Sequence, residues 1–148
     1  MKKIMRYWIP VSLLLLFPPG IQAGLMQQIA GEWKGSGYQY DGANWSIAMV
    51  VQSDGKVTIA YPSLKCGGTL TLLEESETGA RLREDIRYGK ECINRGTVRL
   101  IQVKPNHLEF FWYLPNGELQ AKGELVPTKN FPIGPPAPTG PVPFHGPK

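Results

Sequence analysis

The chain has 148 residues, 42% of them hydrophobic and 19% charged, with a formal net charge of +4. That length holds one domain with one core. The positive balance is too slight for a nucleic-acid binder, because Lys2, Lys3 and Arg6 fall in the leader described next and leave 13 Lys and Arg against 12 Asp and Glu.

Residues 1–23 are expected to be a cleavable signal peptide. Met1 to Arg6 carries three cations and no acid, and Tyr7 to Phe17 is apolar. That run of about eleven residues is too short to span a bilayer, which takes ~20. Pro18-Pro19-Gly20 stops a helix, and Ala23 offers a small residue for cleavage before Gly24. The alternatives are an uncleaved anchor or a buried helix. Export places the mature chain in the periplasm or outside the cell, with no membrane anchor after cleavage.

Residues 24–129 read as an all-β domain. A helical turn is expected at Leu25 to Ile29. Strands are then expected at 31–38, 44–52, 56–61, 69–75, 80–88, 97–103, 108–113 and 118–126, separated by turn signals such as Asp41-Gly42, Asp54-Gly55 and Asn116-Gly117. Period two puts Trp45, Ile47, Met49 and Val51 on one face, and Val57, Ile59 and Tyr61 on another. It puts Leu70 and Leu72 inward, then Ala80, Leu82, Glu84, Ile86 and Tyr88 together. Eight short antiparallel strands in a meander leave two open edges. Closing into a small barrel removes them, which favours a barrel over a sandwich.

Cys66 and Cys92 are the only cysteines. They lie at the open end of the hairpin made by strands 69–75 and 80–88, so a structural disulfide is expected in an oxidising compartment; the alternative is a redox-active pair, whose close dithiol spacing these cysteines lack. Residues 130–148 form a Pro/Gly-rich segment, with seven prolines and three glycines among the last eighteen residues. It has no strand or helix period and reads as an extended tail, either passive or a docking arm.

The stretch Tyr61-Pro62-Ser63-Leu64-Lys65-Cys66-Gly67-Gly68-Thr69-Leu70, with Arg83-Glu84, Cys92, Gly96 and Phe111-Trp112-Tyr113, resembles a pattern in small extracytoplasmic β-domains of bacteria. The resemblance covers about Trp33 to Leu125 and implies the β fold and the disulfide. It implies no activity, because none is established for that group. Gly31-x-Trp33 also resembles the opening strand of lipocalin- and avidin-type barrels, from which no ligand residue is carried over.

No motif for catalysis, metal or cofactor binding emerges. His107 and His145 lack nearby partners at ligand spacing, and bridged cysteines are not nucleophiles. The chain is therefore read as a non-enzymatic binding module without a cofactor. Glu84 stands out, because its neighbours in alternation are apolar and its carboxylate must find partners inside. It is a polar plug or a ligand group, with Tyr61 and Trp112 as interior companions and Gln102 as a third if Val98 and Leu100 point inward; the other register of that strand brings in Arg99, a carboxylate partner, instead. Trp33, Trp45, Tyr88 and Phe110 also read as interior. Phe111, Tyr113 and Leu114 face outward, and Phe111 with Tyr113 forms a candidate surface patch. Two functions follow. One is binding of a small apolar or glycan ligand inside the barrel. The other is binding of an envelope protein, as by a periplasmic enzyme inhibitor or accessory factor.

Overall fold

The period-two pattern gives each strand one apolar face, and eight such faces close on each other. The computed structural model describes residues 23–128; residues 1–22, which hold nearly all of the expected signal peptide, and residues 129–148, which hold the expected tail, lie outside the described residues. The strands are β1 (Gly31–Gln39), β2 (Asn44–Val51), β3 (Val57–Tyr61), β4 (Cys66–Glu75), β5 (Gly79–Tyr88), β6 (Thr97–Lys104), β7 (His107–Tyr113) and β8 (Leu119–Pro127). Each pairs antiparallel with the next, and β8 pairs with β1, so the sheet is a closed barrel in simple meander order. A single helical turn, α1 (Leu25–Gln28), precedes β1.

Short polar side chains set the tight turns. Asp41, Asp54 and Asn116 each accept a backbone N–H two residues on, from Ala43, Lys56 and Glu118, all at 3.0 Å. This is the Asx-turn chemistry that makes such residues turn formers. One piece was not expected. Pro62–Leu64 forms a 3-10 turn, with Lys65 in the left-handed region at φ 53°. It lets β4 begin at Cys66, three residues earlier than the alternation suggested.

The interior is filled. Ile47, Met49, Val51, Leu82, Val98, Leu100, Leu108, Phe110 and Leu125 are all buried. An eight-stranded barrel is just wide enough for its own side chains. One end is plugged by α1. Leu25, Met26 and Ile29 are buried there, and the Trp33 indole donates to the Ile29 carbonyl at 2.7 Å. The Leu25 N–H donates to the Ser76 carbonyl at 2.8 Å, and the Met26 N–H to Glu75 Oε2 at 3.1 Å. The β4–β5 turn thus supplies acceptors for the free N–H groups of the first helical turn.

Four register shifts separate the observed barrel from ideal alternation. Leu73, Arg87, Val103 and Gln120 are each an extra residue in one strand. A bulge re-aims the side chains that follow it. Beyond Arg87, Tyr88 pairs with Gly67 and turns outward, 54% exposed, which corrects the interior placement expected for it. Leu72 keeps the inward register opposite Leu82 yet is 40% exposed. The reason is local: β3 pairs with β4 only as far as Leu70, so the rest of β4 has β5 alone beside it. Leu114, expected outward, packs against the core.

Candidate functional site

The barrel end opposite α1 carries the chemistry. β6 pairs with β5 only up to Arg83, so the second half of β5 has no β6 neighbour. The connection from residue 89 to 96 folds back to take that place. Asn94 Oδ1 accepts the Ile86 N–H at 2.8 Å, and the Gly96 carbonyl accepts the Glu84 N–H at 2.8 Å. The Cys66–Cys92 disulfide ties this loop to the first residue of β4. Gly89 starts it at φ +87°, against the Cys66 side chain and the Lys65 carbonyl. Both the left-handed backbone and the close approach require glycine there. The bridge expected from the hairpin is therefore present, and its role is to hold a loop over the barrel mouth. Such a bond is at home in an oxidising compartment outside the cytoplasm. Among the described residues, no helix is long and apolar enough to cross a membrane.

Beneath the loop lies Glu84, only 1% exposed. It is the only charged residue among the buried side chains described. The Tyr61 hydroxyl donates to its Oε2, and the Trp112 indole N–H donates to its Oε1 at 3.0 Å. The three groups come from β5, β3 and β7. Trp112 lies over Gly96, where an added Cβ would stand 2.6 Å from the indole, and Trp45 lies over Gly37, with a corresponding 2.7 Å. Two glycines thus make room for the two indoles that wall the mouth.

A pocket of about 90 Å³ opens here, lined by Glu84, Tyr61, Trp45 and Trp112, with Gln39, Leu64, Glu91, Cys92 and Ile93 around them. It has room for about three waters, at roughly 30 Å³ each in the liquid. Ligand sites for drug-sized molecules run to roughly 300–1,000 Å³. A larger trough of about 790 Å³ lies on the outer wall, lined by Arg81, Arg99, Tyr113 and the turn at 114–117. Arg81 is already paired there with Glu74 at 2.9 Å.

The residues expected to act together are partly assembled. Glu84, Tyr61 and Trp112 meet at the mouth. Gln102 does not join them. It has the inward parity of Val98 and Leu100, but it lies half-buried toward the plugged end, where its N–H donates to the Thr78 carbonyl. It lies six positions along the chain from Gly96, the residue level with Glu84, or about 20 Å at strand rise. Phe111 and Tyr113 point outward from β7, each half-buried. Lys122 Nζ stands 5.9 Å from the Phe111 ring centre, and Arg99 is its partner on β6. Cations therefore flank the candidate patch on both sides. Trp45, Glu91 and Ile93 complete the mouth pocket. The sequence showed Trp45 only as an inward aromatic and gave no signal for the other two beyond their closeness to Cys92.

Burial raises the pKa of Glu84, and the hydrogen bonds from Tyr61 and Trp112 pull it partly back. Burial, then the nearby Glu84 charge, then the bond to Glu84 push the Tyr61 hydroxyl well above the usual tyrosine range. Both groups hold their protons more tightly folded than unfolded, and the sign of the linkage follows. The Glu84 contribution to stability is complete below its unfolded value, about 4.3, and is lost as pH rises through the raised value. The Tyr61 contribution is complete below about 10 and is lost above it. Urea midpoints measured across pH should therefore fall in the acid-to-neutral range for the wild-type protein, relative to Glu84→Gln. An alkaline loss should be present in the wild type and absent in Tyr61→Phe.

Together these features define a closed, eight-stranded meander barrel with one end plugged by a helical turn and an acidic, aromatic-walled pocket at the other. No protein-family model matches the chain, and no curated protein or solved structure matches it significantly.

Proposed function

We propose that this chain is an exported, non-enzymatic binding module, periplasmic or secreted, that engages another protein with its mouth end. The observation that carries this reading is the filled barrel beneath a pocket of only about 90 Å³. A lipid or glycan held inside the barrel needs a chamber several times larger. The mouth has the composition of a protein-contact surface instead. Ile93, which lines it, and Tyr40, next in the chain to the lining residue Gln39, are exposed at 54% and 71%, and Trp45, Tyr61 and Trp112 lie just beneath. Tyr and Trp are enriched where binding energy concentrates. The disulfide supports an extracytoplasmic setting.

The test is affinity capture from a cell-envelope extract with three forms of the disulfide-bonded protein. A partner held by the wild type and by Phe111→Ala/Tyr113→Ala, but released by Tyr40→Ala/Ile93→Asp, supports the mouth as the interface. Retention by the mouth variant and release by the β7 variant would move the interface to β7. Absence of any captured partner, with co-purifying lipid or glycan seen by native mass spectrometry, would overturn the protein-binding reading.

A further inference from the structure

The mouth pocket has a definite charge character. Glu84 and Glu91 bring two carboxylates to it, Trp45, Tyr61 and Trp112 bring aromatic surface, and among the described residues no Lys, Arg or His lines it. Each Glu84 oxygen accepts one hydrogen bond, whereas a carboxylate offers about four acceptor positions. The remaining positions belong to a group almost wholly removed from water.

We propose that this pocket receives the cationic end of a lysine or arginine side chain presented by a partner protein. The inference rests on the protein-binding reading above and names the group that enters. Three features support it. A cation is attracted both by the aromatic faces and by the carboxylate, and more strongly where water is excluded. It supplies further donors to a buried carboxylate that accepts only one hydrogen bond at each oxygen. The volume of about 90 Å³ suits the end of one side chain, not a whole ligand.

Binding should depend on pH through Glu84. The titratable groups that face it are Tyr61 on β3 and Glu91 on the disulfide-held loop. The other strands around it present no ionisable partner: Leu70 lies opposite on β4, Gly96 precedes β6, and Trp112 stands on β7. Protonation of Glu84 removes the charge that attracts the cation. Affinity should therefore rise as pH rises through its raised pKa, and a bound cation should lower that pKa.

The experiment is an NMR titration of the disulfide-bonded protein, read at the indole N–H resonances of Trp45 and Trp112. Three probes are compared: a short neutral peptide with one lysine, the same peptide with norleucine, and n-butylammonium. The expected result is saturable shifts with the lysine peptide and none with norleucine. Affinity should fall about tenfold or more between pH about 8 and about 4, and Glu91→Gln, a change at an exposed loop residue, should weaken binding several-fold. Equal shifts with norleucine, pH-independent binding, or no saturable shift with either cation would overturn the proposal. Saturation by n-butylammonium alone would overturn the protein side chain as the source. The outcome is separable from the capture experiment. A silent titration alongside a mouth-dependent partner removes the pocket assignment alone, whereas a saturable lysine site with no partner captured removes the protein-partner reading.

Discussion

Glu84→Ala is expected to destabilise the barrel by about 3 kcal/mol, because it strands two buried donors at once, each worth roughly 1–3 kcal/mol when left unpaired. These are the Tyr61 hydroxyl and the Trp112 indole N–H, whose only hydrogen-bond acceptor among the described residues is Glu84. The alanine also leaves a small cavity under the mouth pocket, which adds to the loss. Tyr61→Phe in the Glu84→Ala background should recover part of it, since one stranded donor disappears. Urea denaturation of the two single variants and the double variant measures this. Strict additivity of the two losses would mean that Tyr61 and Glu84 are not coupled.

Cys66→Ala with Cys92→Ala is expected to cost a comparable amount. The two cysteines are 26 residues apart, and in the chain-entropy model closing a loop of that length contributes about 3 kcal/mol. Domains of this size have a total of roughly 5–15 kcal/mol, so a marginal protein loses much of its reserve. Alanine suits position 66, which is fully buried. The loss should also be visible locally. Cys92 and Ile93 line the mouth pocket, and release of the loop uncovers Trp112. Thermal unfolding gives the global effect, and tryptophan quenching by a small neutral quencher gives the local one. A variant with unchanged stability and unchanged quenching would show that the bridge holds neither the fold nor the loop.

The strands were legible because alternation and turn chemistry agree along this chain. Asp54-Gly55 and Asn116-Gly117 sit between runs such as Val57, Ile59, Tyr61 and Leu108, Phe110, Trp112, and the structure turns and buries them accordingly. The inward position of Glu84 followed from Leu82 before it and Ile86 after it. What alternation does not encode is height along the barrel axis. With Val98 and Leu100 inward it gives Gln102 and Glu84 the same sense, while the stagger of the strands places them at opposite ends. It likewise offered Tyr61 and Trp112 among six interior aromatics without showing that those two share a level with Glu84.

Bulges were the second blind spot. A single extra residue such as Arg87 is set by the local twist and by close packing at Gly68, where a Cβ would run into the Asp85 carbonyl. No residue type announces it, so alternation alone puts Tyr88 on the wrong face. The loop over the mouth was legible only through Cys92. Its backbone replaces the missing β6 pairing of β5, which depends on where β6 begins.

The burial of Glu84 is tested most directly by a carbon-detected NMR titration of its side-chain carboxyl in the disulfide-bonded protein. That burial predicts a midpoint above the ordinary glutamate value of about 4.3. It also predicts that the Trp112 indole N–H will move in the same transition, because that proton is shared with the titrating carboxyl. A midpoint at or below the ordinary value, with Trp112 unmoved, would contradict a buried Glu84 held between Tyr61 and Trp112 at the mouth of the barrel.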